Sequence, residues 1–231
     1  LTAHVRTGDN GTRDIGRDMG GMNDDGSRRP GRERRQRMLA AATRLFIERG
    51  FDGTSVDEII QAVGGSKTTL YSAFGNKQGL FAAVVADVTT RLDAAITLDN
   101  PADGSRRPPA EILAAAGTAA MRIVLSEEVM GLYRLAVAEA KRYPDLASSF
   151  WEKGPSSARA GLAAYLADAA AHGELRVEDP LEAAEMFLGM LLDRGTLALS
   201  LGVQEPPTNA AIDRRVAAAT KVFMAAYGRD G

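Results

Sequence analysis

Five side chains between residues 66 and 71 are placed to do chemistry together: Ser66, Lys67, Thr68, Thr69 and Tyr71. They follow two adjacent glycines, Gly64 and Gly65, which interrupt an apolar run. Hydroxyls and one amine behind a glycine pair suit two tasks. One is a phosphate cradle in a nucleotide enzyme. The other is the turn and second helix of a motif that reads duplex nucleic acid. A phosphate loop of the form GxxxxGK[ST] requires glycine directly before the lysine and again five residues earlier. Here those places hold Ser66 and Gln61. A phosphate loop also follows a buried strand, whereas Val56, Ile59, Ile60 and Val63 recur with the helical period.

The second task accounts for each feature. A turn between two helices needs backbone room and a positive φ, which glycine supplies. Ser66 is placed to cap the following helix, whose outer face then carries Lys67, Thr68 and Thr69, side chains suited to base edges and phosphates. Leu70 and Phe74 point back, four residues apart, to hold it on its partner helix. Tyr71 can aim its hydroxyl at a phosphate, and Lys77 opens the next helix where its charge can meet the nucleic-acid backbone. A capped helical hairpin that binds nothing also fits these residues.

The elements that must position this stretch are helices throughout. Met38, Ala42, Leu45 and Phe46 share one face of a helix over 32–49, and Ser55 with Glu58 forms a capping box for the next. A long helix capped by Asn76 buries Phe81, Val84, Val85, Val88 and Leu92. After a loop at 100–109, about five more helices follow. Ile112 and Ala116 mark one; Met130, Tyr133, Val137 and Ala140 mark the next, stopped by Pro144. A third starts at Asp145 and is kinked or split at Gly154-Pro155 before the stripe Leu162, Tyr165, Leu166 and Ala169. "DPLE" at 179–182 opens a helix reaching about 201, and Thr208 opens the last, to about 227. No strand-like alternation appears. The expectation is an all-α chain: a tail over 1–29, disordered by its Gly, Asp and Arg content, a head over 30–75, and a helical body over 76–231. Met19 or Met22 is the expected physiological start.

Bulk properties narrow the function. Residues 28–80 hold ten Lys/Arg against five Asp/Glu, and residues 81–231 hold 15 against 20. A basic segment joined to an acidic one suits a nucleic-acid module attached to something else. With no cysteine and two histidines far apart, His4 and His172, thiolate and zinc chemistry have no ligands. No nucleophile–base pair or cofactor fingerprint argues for an enzyme, and neither a signal-peptide core nor a membrane-length apolar run is present. The expected location is the cytoplasm, and no cofactor is expected.

The segment "RMLAAATRLFIERGFDGTSVDEIIQAVGGSKTTLYSAFGNKQGLF", residues 37–81, resembles the N-terminal domain of TetR/AcrR-family transcriptional regulators. It departs from their pattern at Ile60 and Val63, where alanine is usual, and at Thr68, often glycine or alanine. "LYRLAVAEAKRYPDL" (132–146) and "GELRVEDPLEAAEMFLGML" (173–191) resemble the ligand domain of an efflux-regulator subgroup. The resemblance implies a three-helix helix-turn-helix head, a connecting helix and a C-terminal ligand-binding bundle. It further implies a homodimer through helices 180–201 and 208–227, bound to a near-palindromic double-stranded operator and released by a small effector. On that reading Lys67, Thr68 and Thr69 approach bases. Thr54, Ser55, Tyr71 and Lys77 hold phosphates, and Ser66 caps the second helix at the DNA face. Arg28, Arg29, Arg32, Arg34 and Arg35 form a basic arm. Met121, Tyr133, Trp151, Tyr165, Phe187 and Met190, with Arg134, line a pocket for a hydrophobic or aromatic effector. The function expected is a ligand-responsive repressor. The alternatives are an activator, or a helical small-molecule-binding module.

Overall fold

The computed structural model describes residues 25–95 and 106–229. Among the described residues ten α-helices run in chain order: α1 Asp25–Arg49, α2 Val56–Val63, α3 Lys67–Phe74, α4 Lys77–Ala95, α5 Pro109–Val124, α6 Glu127–Glu139, α7 Pro144–Trp151, α8 Ser157–Ala171, α9 Pro180–Ser200 and α10 Asn209–Tyr227. No strand occurs among the described residues; one isolated antiparallel bridge joins Leu175 to Gly228. The expected tail is helical from Asp25 onward, because the arginine-rich segment before Met38 continues α1 outward from its packed face. The rest of that tail, both candidate start methionines, His4 and most of the 100–109 loop lie outside the described residues.

Helix starts follow local chemistry. The Oδ1 of Asp179 accepts from the amides of Leu181 and Glu182 at 2.9 and 3.0 Å, with Pro180 in the first turn, where its missing amide costs nothing. Asn76 Oδ1 accepts from Gly79 N at 2.7 Å before α4. Pro144 does more than stop α6: it occupies the first turn of α7, so that helix begins one residue earlier than Asp145. At Gly154-Pro155 the chain forms a π-helical turn, Glu152–Ser156, and continues as α8. The Thr89 hydroxyl of α4 donates to the carbonyl of Lys153 in that turn.

Two apolar clusters hold the molecule. One packs Phe46, Ile59, Leu70, Leu80 and Phe81 with their neighbours on α1–α4, and continues into Leu132, Leu135 and Ala136 of α6 and Leu146 of α7. The other joins α5, α6, α8, α9 and α10 through Leu113, Leu166, Phe187 and Phe223. Head and body therefore share buried surface. At their junction Gly131 of α6 faces Ile47 of α1 so closely that a Cβ would stand 2.9 Å from the isoleucine side chain. The α6 stripe differs from expectation: Val137 is 60% exposed, because α6 turns Gly131, Leu132, Leu135 and Ala136 toward its neighbours instead.

Candidate nucleic-acid interface

Helices α2 and α3 are joined by Gly64 and Gly65, with φ of 76° and 124°. A side chain at either position would be strained, which explains the glycine pair. Ser55 caps α2: its Oγ accepts from Glu58 N at 3.2 Å, while Glu58 Oε2 accepts from Ser55 N at 2.9 Å. Those hydrogen bonds from Ser55, helped by the adjacent Arg49 guanidinium, hold the Glu58 carboxyl below its ordinary range. Ser66 caps α3 by accepting from Thr69 N at 3.2 Å, and its Oγ lies 3.0 Å from Thr69 Oγ1.

Leu70 and Phe74 are buried, as their spacing requires. Lys67, Thr68, Thr69 and Tyr71 are exposed around the rest of α3. Lys67, Tyr71 and Thr68 lie within about 100° of one another around its axis, Thr69 lies farther round, and Ser66 caps its start. Lys67 is already engaged: its Nζ lies 2.9 Å from Asp57 Oδ2, in the first turn of α2. The hydrogen bond to Asp57 raises the ammonium's pKa, so the lysine stays charged. Sequence spacing shows both residues near helix starts but not that ten positions of separation fold into contact.

One expectation for this face is corrected, and two others gain detail. Thr54 is fully buried, and its hydroxyl lies 2.9 Å from the carbonyl oxygens of both Leu45 and Gly50. It ties the end of α1 to the start of α2 and has no surface to offer a phosphate. The Lys77 ammonium lies 4.5 Å from the centroid of the Phe51 ring, and partial burial lowers its pKa. The basic arm is no extended arm over its described part: Arg32 and Arg35 stand exposed on helix α1. The Arg35 guanidinium carbon lies 5.2 Å from the Phe74 ring centroid, which braces α1 against the end of α3.

The seven expected pocket residues divide: five belong to or pack against the body cluster, and Arg134 and Trp151 stand exposed. Met121, Tyr165 and Phe187 are buried in the body core. Tyr133 is half-buried with its ring 6.1 Å from that of Phe150, and Met190 is half-buried on α9. Arg134 is exposed and donates to the Leu199 carbonyl at 3.3 Å. Trp151 is 58% exposed at the end of α7, because the π-helical turn carries the chain away beneath it. The Tyr165 hydroxyl is buried without a partner, and burial, with Glu174 nearby, pushes its pKa up to about 12.

A cavity of about 290 Å³ opens elsewhere, between α5, α9 and α10. Met121 and Leu125, Leu191, Gly195 and Leu199, the α9–α10 loop residues Gln204 and Pro207, and Arg215 line it. Of the seven, it includes Met121 alone. Leu191, Gly195 and Leu199 are spaced by four on α9, a signal the sequence did carry; the return of the loop over them it did not.

Comparison with known proteins agrees with this geometry. Residues 38–84 match the family described as bacterial regulatory proteins, tetR family, and residues 111–229 match the C-terminal domain of AefR-like transcriptional repressors. The transcriptional repressor BdcR of Escherichia coli strain K12 is 45% identical over 62 residues, 26% of this chain and 32% of BdcR. The activator FasR of Mycolicibacterium smegmatis is 42% identical over 65 residues, 28% of this chain and 30% of FasR, so each match spans about a third of the relative. The repressor AcnR of Corynebacterium glutamicum is 24% identical over 184 residues, 78% of this chain and 88% of AcnR. Among solved structures, a TetR-family regulator from Mesorhizobium loti MAFF303099 superposes with a TM-score of 0.75 at 28% identity, covering 86% of this chain and 98% of that one. The flavonoid-responsive regulator FrrA superposes at 0.68 with 30% identity, covering 86% and 99%. With a helix-turn-helix whose outer face is polar and a C-terminal helical domain matched over more than half its length, this chain belongs to the TetR family of transcriptional regulators, in the group with an AefR-like C-terminal domain.

Proposed function

We propose that this regulator is a repressor that binds a near-palindromic operator as a homodimer and is released by a small hydrophobic or aromatic effector. The observation that carries the DNA reading is the exposure of Lys67, Thr68, Thr69 and Tyr71 around α3 while Leu70 and Phe74 anchor its back. Such a helix enters the major groove with its N-terminal residues at base edges. Tyr71 is exposed to meet a phosphate, Ser55 meets one only by releasing Glu58, and the Lys77 ammonium lies over the Phe51 ring.

Dimerisation is supported by two outward stripes. Met186, Gly189 and Leu197 lie exposed along one side of α9, and Ala218, Val222 and Ala225 along α10. Small and apolar residues left in water on the last two helices suit a four-helix contact with a second copy. A two-fold pair of α3 helices would then meet half-sites about 34 Å apart, or a multiple of it. Repression is favoured by the names of BdcR and AcnR, and an aromatic effector by that of FrrA.

Selection of bound duplexes from a random pool tests the proposal. A near-palindrome should emerge, and adding flavonoids or other aromatic compounds to the selected complex should release it. Failure to retain any duplex at low salt would overturn the DNA reading; retention that no such compound disturbs would overturn the effector class.

A further inference from the structure

We propose that Asp57 is a specificity-determining residue, holding Lys67 back from DNA of arbitrary sequence until α3 is fully seated. The inference rests on the reading that α3 faces DNA. Lys67 is the only cation on α3, and its other exposed polar groups, Thr68, Thr69, Tyr71 and Ser72, are neutral. Its Nζ lies 2.9 Å from Asp57 Oδ2, with the two side chains 57% and 69% exposed. An ion pair this exposed contributes little to fold stability. What it does change is the charge that α3 shows to an approaching duplex.

Duplex DNA carries a negative charge about every 1.7 Å, and a protein's free lysines bind it regardless of sequence. Paired, Lys67 meets a phosphate with the Asp57 carboxylate beside it; to give a phosphate its full charge it must leave Asp57, which then stands unpaired beside further phosphates. Like charges placed together in an interface oppose binding. Contacts to base edges, available only in the correct groove, must offset that cost. The carboxylate therefore opposes phosphate-only complexes more than complexes in which Thr68 and Thr69 also find partners.

The test uses the full chain and two labelled duplexes of about 30 base pairs, long enough for two half-sites. One is of random sequence; the other is drawn from the selected pool. Anisotropy titrations from about 50 to 200 mM salt compare wild type, Asp57→Asn, Lys67→Ala, the double variant, and Glu48→Gln, a charge-matched change at an exposed site on α1. Melting curves check that all five fold alike. Asp57→Asn is expected to tighten the random duplex about 3–10-fold at the lowest salt and steepen its salt slope by about one. It should also narrow the ratio between selected and random duplexes. Lys67→Ala should weaken the random duplex in the wild-type background, where it strands the Asp57 carboxylate, and should lower the slope by about one in the Asp57→Asn background.

If wild type binds but Asp57→Asn does not tighten the random duplex, the inference falls. It falls equally if Glu48→Gln has the same effect as Asp57→Asn, or if Asp57→Asn weakens only the selected duplex, which would make Asp57 a base contact. If wild type retains neither duplex, the reading of α3 itself falls.

Discussion

Replacing Thr54 by valine separates a structural hydroxyl from a DNA-contacting one. Valine keeps the shape of threonine, so packing is preserved and only the hydroxyl is lost. In the folded chain that hydroxyl lies 2.9 Å from two carbonyl oxygens, those of Leu45 and Gly50, at a fully buried position. Removing it forfeits the hydrogen bond and leaves buried acceptors short of a donor, a loss of about 1–3 kcal/mol. For a chain of this size each kcal/mol lowers Tm by about 2–4 °C, so the expected fall is about 2–12 °C. Thr54→Ser, which restores the donor, should recover much of it. Differential scanning calorimetry reads the first quantity, and anisotropy on the selected duplex, well below both melting points, reads the second. DNA affinity of Thr54→Val should stay within about threefold of wild type, because the side chain has no exposed surface. An unchanged Tm together with lost DNA binding would refute the reasoning and return Thr54 to the interface.

Other perturbations act on the junction, the cap and the outer stripes. Gly131→Ala inserts a methyl 2.9 Å from Ile47 and should cost about 1–3 kcal/mol by thermal melting; Ile47→Ala should relieve it in the double variant. Glu58→Gln should flatten the acid limb of the stability curve. The Glu58 carboxyl titrates below its unfolded value of 4.5, so its contribution is complete above that pH and is lost as pH falls through the lowered folded value. Melting temperatures from pH 6 to 3 check this, with wild type steeper than the variant. Leu197→Arg, on the outward stripe of α9, should shift sedimentation from dimer to monomer while leaving far-UV circular dichroism unchanged.

Apolar periodicity made the helices and the anchoring of α3 legible, because Leu70 and Phe74 on one side, and hydroxyls on the other, leave one way to pack. The capping box at Ser55 was readable for the same local reason. Thr54 was misread because a threonine before a helix looks the same whether its hydroxyl turns out or back onto the preceding helix; only the approach of α1 decides. Lys77 opens α4 as its position requires, but its seat over Phe51, 26 residues earlier in the chain, is set by the tertiary fold. The pocket was least legible. Large apolar residues in an alanine-rich bundle signal burial, and burial in a filled core reads the same as burial around a space.

The wider turn at Glu152–Ser156 imposes a constraint on how this chain can vary in length. A π-helical turn takes up about one residue more than an α-helical turn. Removing a single residue from this turn would leave an ordinary α-turn and keep Leu162, Tyr165, Leu166 and Ala169 in phase on the body core. A one-residue deletion within α8 ahead of Leu162 would instead rotate those four side chains by about 100° off that core. A change of one residue in length should therefore be borne at this turn and not in the helix that follows.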